Sequence, residues 1–182
     1  MTSLHTGVSR AAWAYLLLTV DVNLGTLNIL PRFAGWLLLY SAVGLLSAEC
    51  RDFGLLRPLT LLLALWEGID WLLCLGGQTL EGRFLPFDLI AAAAALYFHF
   101  QFFTGCAALA DRCQQEDLDR RFLRWRTVLT LLVTAAFLIR WLPEGEWRVA
   151  ALLILTVFAL LTNLVLIGAL FALRRCLPEE TA

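Results

Sequence analysis

Long apolar blocks separated by short polar breaks run through the whole chain. Six blocks approach or exceed the roughly 18–20 residues that a helix needs to cross hydrocarbon. They cover approximately residues 11–30, 33–49, 58–76, 84–108, 127–142 and 149–173. Because only a helix or a closed barrel satisfies every backbone group in lipid, and the blocks lack the alternation of a barrel, the pattern predicts six transmembrane helices.

Leu-Pro pairs mark the start of every second predicted helix. Proline is tolerated in the first turn of a helix and breaks its interior. The three prolines stand at positions 31, 86 and 143, hence 55 and 57 residues apart. Such a period suggests three repeated helical hairpins. Leucine is so frequent here that a chance recurrence of Leu-Pro is an equal alternative.

The longest polar stretch, residues 111–126, combines charge with an apolar stripe. On a helix, Leu118, Phe122 and Trp125 follow the i, i+4, i+7 spacing of one face. This pattern is typical of a cytoplasmic amphipathic segment that either lies on the membrane surface or extends the fifth span. A solvated loop with one helical turn also fits it.

Composition supports a membrane location and a single domain. The 182 residues are 60% hydrophobic and 16% charged, and the mean hydropathy is +0.77, whereas soluble domains are about half apolar and a quarter charged. Residues 1–182 therefore form one all-α transmembrane domain with the lipid bilayer as its partner, since no hydrophilic segment is long enough to fold separately. A homo-oligomer or a membrane-protein partner stays open, and nothing indicates nucleic acid.

The distribution of arginine predicts the orientation. All 14 basic residues are arginine. Ten fall at the N-terminus, in the 49–58 loop, in segment 109–126 and in the C-terminal tail, against four on the other side. The positive-inside rule then places both termini in the cytoplasm, with an even number of spans in the cell (inner) membrane. No small-x-small cleavage site follows the first block, which we therefore expect to remain as a signal-anchor.

Ionisable groups inside apolar segments are costly and are the first candidates for a functional site. Glu67 and Asp70 share a helix face because they are three residues apart, and two carboxylates there suit a proton relay or a cation site. His99 offers a proton partner. The candidate substrate- or ion-binding residues are Asp21, Glu67, Asp70 and His99, with Asn23, Gln101 and Asn163 as secondary candidates.

Helix rise places the four principal candidates and Asn163 at a similar depth, ~15–20 Å from a charged residue near one end of each span. Two alternatives remain. Trp66 and Trp71 bracket the acids, and tryptophan often marks the interface, so the acids can lie shallower. Asp21 can likewise cap a first helix that begins before Arg10, with residues 22–31 as an external loop.

Residues 21–39, DVNLGTLNILPRFAGWLLL, carry an Asp/Asn-rich stretch that leads into Leu-Pro-x-Phe-x-Gly and an apolar run. This segment resembles a motif of uncharacterised bacterial polytopic integral membrane proteins. The resemblance covers about 20 residues of the chain. It implies a membrane location and carries no activity.

Three functions remain open. The first is a small transporter or channel with an acidic site for a proton, a cation or a small solute. The alternative is a non-catalytic scaffold or assembly subunit of a membrane complex, and the third is an intramembrane enzyme. Nucleotide, metalloprotease and hydrolase motifs are absent, and the five cysteines lack C-x-x-C spacing. The sequence thus predicts no cofactor and no metal, and favours a non-enzyme.

Overall fold

The computed structural model describes residues 2–20, 23–24, 27–28, 31–79, 85–140, 142–143 and 145–177. In chain order these residues form α1 (Thr2–Thr19), β1 (Asn23–Leu24), β2 (Leu27–Asn28), α2 (Arg32–Leu46), α3 (Arg51–Gly54), α4 (Arg57–Leu75), α5 (Leu85–Arg112), α6 (Glu116–Ile139) and α7 (Glu146–Cys176). The two short strands pair antiparallel. Because α3 is a single turn, six long helices carry the architecture.

The helical bundle predicted from the sequence is confirmed, whereas the predicted number of six spans stays a prediction. Four helical stretches are long and apolar enough to cross a membrane, and they comprise Arg51–Leu75, Leu85–Arg112, Glu116–Ile139 and Trp147–Cys176. α2 is apolar but shorter. Rows of leucine, valine and phenylalanine on α4 and α7 are exposed in the isolated chain, as a surface that faces lipid requires.

The first helix differs from its prediction. It covers Thr2–Thr19 rather than 11–30, and the antiparallel ribbon follows it. The segment after α1 contains Asp21, Asn23 and Asn28, whose side chains bond readily to nearby backbone and so favour turns over helix. The alternative of a first helix that begins before Arg10, with a non-helical connection after it, therefore describes the backbone better.

The six long helices pack as a ring. α1 contacts α2 and α7, α2 contacts α4, and α6 contacts both α5 and α7, whereas the seam between α4 and α5 is packed sparsely. Neighbours run antiparallel, so that Gly7 lies against Leu46 and Gly35 against Leu18. A Cβ at Gly35 would stand 2.7 Å from Leu18 Cγ. Glycine thus permits the close approach of α1 and α2.

The ring has two distinct ends. The starts of α1, α4 and α6 lie at one, which we name the closed end, and the starts of α2, α5 and α7 lie at the other, the open end. Pro31 caps α2, Pro86 occupies the second position of α5, and Pro143 stands just before α7. Each proline therefore begins the second helix of a hairpin, as predicted. Whether the hairpins are true repeats stays a prediction.

Buried phenylalanines fill the centre of the ring toward the closed end. Phe103 lies 5.6 Å from Phe102 and 6.2 Å from Phe122 between ring centroids, and Phe102 lies 5.7 Å from both Phe53 and Phe98. All five side chains are at most 1% exposed. We name these five residues the phenylalanine layer. It joins α3, α5 and α6 into one core.

The predicted amphipathic segment is largely helical, and its apolar stripe packs against protein. A tight turn at residues 113–115 separates α5 from α6, with Gln114 at φ 56°, and α6 then continues without a break from Glu116 to Ile139. Leu118 and Phe122 are buried by protein, and Trp125 packs against the same core. The stripe therefore faces neighbouring helices, and the continuous helix agrees with the alternative in which the segment extends the fifth predicted span.

Candidate functional site

A cavity of about 640 Å³ lies among α2, α4, α5 and the end of α6 at the open end of the ring. Its volume falls within the roughly 300–1,000 Å³ that is usual for small-molecule sites. Three of the four principal candidates, Glu67, Asp70 and His99, line it together. Residues from separate segments of the sequence thus meet at one place.

The α4 wall carries the two acids on one face, as their spacing predicts. Glu67 Oε1 stands 3.8 Å from Arg32 Nη1 at the first residue of α2. The side chains of Arg32 and Glu67 are 54% and 23% exposed, so this pair lies at the accessible mouth of the cavity. Thr79 Oγ1 donates a hydrogen bond to Asp70 Oδ1 at 3.2 Å.

The α5 wall presents Asp88, Ala91, Ala95 and His99 to the cavity. These positions recur every three or four residues, which places them on one face of the helix. The alanines occupy little volume, so α5 leaves space where larger side chains would fill it. From Asp88 to His99 the wall descends ~16 Å by helix rise.

The floor is built from Trp36, His99 and the buried tyrosine behind them. Tyr15 Oη and His99 Nδ1 are 2.8 Å apart, and Tyr15 is 2% exposed. The rings of Trp36 and His99 lie 5.6 Å apart between centroids. Tyr15 in turn contacts Phe102 and Phe103. The phenylalanine layer therefore closes the cavity from below.

The candidates are staggered in depth rather than level. Glu67 is level with Arg32 at the first turn of α2, whereas His99 contacts Trp36, four residues or ~6 Å further along that helix. Asp70 is nearer still to the open end, five residues or ~8 Å before Leu75. The three candidates are therefore staggered along the bundle axis by about one helical turn each, and their depth in a bilayer, common or shallower, stays a prediction.

The other candidates do not join this group. Asp21 lies outside the described residues, and Asn23 belongs to β1, of which only the backbone is described. Gln101 is half-buried on α5, and Asn163 is half-buried on α7. Neither Gln101 nor Asn163 lines the cavity. Of the candidates named from the sequence, Glu67, Asp70 and His99 line the cavity, and the amides Gln101 and Asn163 do not.

Five further residues of the site were not among the candidates named from the sequence. Arg32, Asp88 and Arg140 line the cavity near the helix ends, Trp36 forms the floor, and Tyr15 holds His99. Arg32 follows Pro31 at the start of α2, a position that indicated only a helix boundary. The recurrence of Asp88, Ala91 and Ala95 with His99 at helical spacing is the one signal in the sequence that pointed to this wall.

The cavity offers charge and hydrogen bonds. Three carboxylates and two guanidinium groups give its lining a formal charge of −1 with His99 neutral. Within the described ranges, no group of three or more His, Cys, Asp or Glu is close enough to hold a metal ion. The arrangement is thus suited to the binding of a small polar solute or a cation. No family model, no curated protein and no solved structure matches the chain.

Proposed function

We propose that this chain is a small membrane transporter or channel whose cavity admits a proton, a cation or a small polar solute from the open end. One observation carries the proposal. A charged cavity penetrates a bundle whose outer surface is apolar, and it brings Glu67, Asp70 and His99 to one lining. Ionisable side chains within a membrane bundle mark solute or ion pathways more often than passive structure.

In the proposed arrangement all six long helices cross the inner membrane of a bacterial cell and both termini are cytoplasmic. α1 and α2 join the four long apolar stretches as spans because they pack within the same ring. The closed end carries the N-terminus, Arg51, Arg57, Arg112 and Arg174, and it therefore faces the cytoplasm under the positive-inside rule. The cavity then opens to the outside. The resemblance at residues 21–39 supports the membrane location alone.

Access to the cavity is tested by cysteine labelling. The five native cysteines are first replaced by serine or alanine, and Ala91→Cys and Ala95→Cys are treated with a membrane-impermeant thiol reagent. We expect both to react, because Ala91 and Ala95 line the cavity. Ala107→Cys is the matched control, since Ala107 is 2% exposed within the same helix. Protection of both cavity positions would contradict the proposal.

Passage is tested in proteoliposomes. We expect a wild-type flux of K⁺, choline or protons that Glu67→Gln and Asp70→Asn abolish without a change in thermal stability. Asp117→Asn, an exposed acid on α6 away from the cavity, serves as the control that retains the flux. No flux with the wild type for any of the three would refute transport of cations and protons.

The Arg32–Glu67 ion pair favours a second candidate, a non-catalytic scaffold. In that case the acid serves to hold α2 against α4. The same variants distinguish the two functions. A scaffold predicts that Glu67→Gln lowers thermal stability, whereas a transport site predicts that it removes flux and leaves stability intact.

A further inference from the structure

Two N–H groups at the cavity floor have no hydrogen-bond acceptor among the described residues. They belong to His99 and Trp36, whose rings are adjacent. We infer that the cavity binds a small dipolar solute, with an acceptor group at these two N–H groups and a cationic group at Glu67 and Asp70. This inference rests on the proposed function and names the class of solute that the site takes.

The hydrogen bond of Tyr15 determines which nitrogen of His99 carries the hydrogen. His99 Nδ1 is the hydrogen-bond partner of the buried Tyr15 hydroxyl in the described structure. A buried O–H without an acceptor costs about 1–3 kcal/mol, so Tyr15 donates and Nδ1 accepts. The neutral imidazole then carries its hydrogen on Nε2. Because His99 lines the cavity, that N–H is a donor available to a solute.

Trp36 supplies an independent observation. The residue is 4% exposed, it lines the same cavity, and its Nε1 has no hydrogen-bond partner in the described part of the chain. Buried indole N–H groups usually have an acceptor. An oxygen acceptor at the floor would satisfy the His99 donor directly, and it would satisfy the Trp36 donor once the indole ring turns toward it, because Nε1 has less than 1 Å² of accessible surface.

The acids set the position of the opposite end of the solute. Glu67 stands at the level of Arg32, and Trp36 stands one helical turn, ~6 Å, deeper. The lining has a formal charge of −1, so it favours a cation at the mouth. A solute that reaches both places therefore carries an acceptor and a cation about one helical turn apart.

The available space agrees with this class. Liquid water occupies about 30 Å³ per molecule, so the cavity of about 640 Å³ holds a small organic solute together with several waters. Trp36 and Trp66 give the lining apolar surface for a short aliphatic linker. The phenylalanine layer limits how deep the acceptor end can go.

The experiment compares dipolar probes with their single-ended analogues. Purified protein in nanodiscs is titrated by calorimetry with ω-aminoalkanoates of increasing chain length, and with the alkylamines and alkanoates of matching length. We expect one aminoalkanoate to bind at least about tenfold more tightly than its amine, because its carboxylate accepts charge-assisted hydrogen bonds at the floor. The chain length of that probe reports the distance between the two ends.

Three variants assign the contacts. His99→Phe and Trp36→Phe remove the N–H donors, and each should weaken the aminoalkanoate about tenfold while the alkylamine is unaffected. Glu67→Gln should weaken the alkylamine and the aminoalkanoate together. Trp36→Phe keeps an aromatic ring in place, so this variant can still test the donors at the floor if His99→Phe fails to fold. Equal losses for amine and aminoalkanoate in the Trp36 variant would overturn the assignment of the floor.

Failure of this inference is separable from failure of the proposed function. If Ala91→Cys and Ala95→Cys are labelled and cations pass, but every aminoalkanoate binds no better than its amine or does not bind, the dipolar solute is refuted and transport stands. If both cavity positions are protected from the thiol reagent and no flux occurs, the proposed function fails first.

Discussion

Gly105 lies where α5 meets the short helix α3, and its substitution tests the packing below the cavity. A Cβ at this position would stand 2.5 Å from Phe53 Cζ and 2.9 Å from Cε1. Ordinary contact between carbon atoms is about 3.5–4.0 Å, so the Phe53 ring must move by about 1 Å. That ring is 1% exposed and packs against Phe102 at 5.7 Å between centroids. Gly105→Ala therefore overpacks the core.

Gly168 provides the matched control for the magnitude. It lies inside α7, and a Cβ there would have no neighbour within 4 Å. Both substitutions replace glycine by alanine within a helix, so the gain in helix propensity, about 1 kcal/mol, cancels between them. What remains is the overpacking term, about 1–3 kcal/mol. We expect Gly105→Ala to be less stable than Gly168→Ala by that amount.

The assay is unfolding by a denaturing detergent in mixed micelles, followed by the near-ultraviolet circular dichroism of the aromatic core. The free energy of unfolding is extrapolated in the same way for both variants. A double variant of Gly105→Ala with Phe53→Leu should recover part of the loss, because leucine is smaller than the ring. Equal stability of Gly105→Ala and Gly168→Ala would refute the close contact between α3 and α5.

The remaining two predictions concern the amphipathic segment and the topology. Phe122→Cys should resist a maleimide in folded protein and react after unfolding, whereas Gln115→Cys should react in both states, since Phe122 is fully buried and Gln115 is exposed; rapid labelling of the folded Phe122 variant would contradict the packing of α6. Reporter fusions after Gly82 and after Ala182 should report opposite sides of the membrane, and the same side at both points would refute six spans with cytoplasmic termini.

Local patterns in the sequence predicted the helices well where the signal was purely apolar. The prolines at 31, 86 and 143 begin second helices, because proline acts on its own backbone. The start of α1 was missed, since His5 and Arg10 made the segment look polar. Their partners explain why they are tolerated: Arg10 donates a hydrogen bond to Ser41, and His5 accepts one from Arg174. Those partners lie on other helices.

Only the part of the site that lies within one helix could be predicted from the sequence. The shared face of Glu67 and Asp70 follows from a three-residue spacing within one helix. Their neighbours across the cavity, Arg32 and His99, are fixed by how α2 and α5 are rotated against α4, which depends on packing among many side chains. The hydrogen bond between Tyr15 and His99 joins residues 84 positions apart. No local pattern reports such a pairing.

The phenylalanine layer has a consequence for the rate at which a solute could cross the bundle. Its five rings are at most 1% exposed and pack between the cavity floor and the closed end in the described part of the chain. Under the proposed function, a solute that moves from His99 through this layer requires the helices to shift and separate the rings. Collective helix motions take microseconds to milliseconds, which limits passage to roughly 10³–10⁶ events per second. Of the two proposed activities, this layer favours a carrier over a channel, and single-molecule electrical recordings distinguish them, because a carrier shows no steady open-channel current.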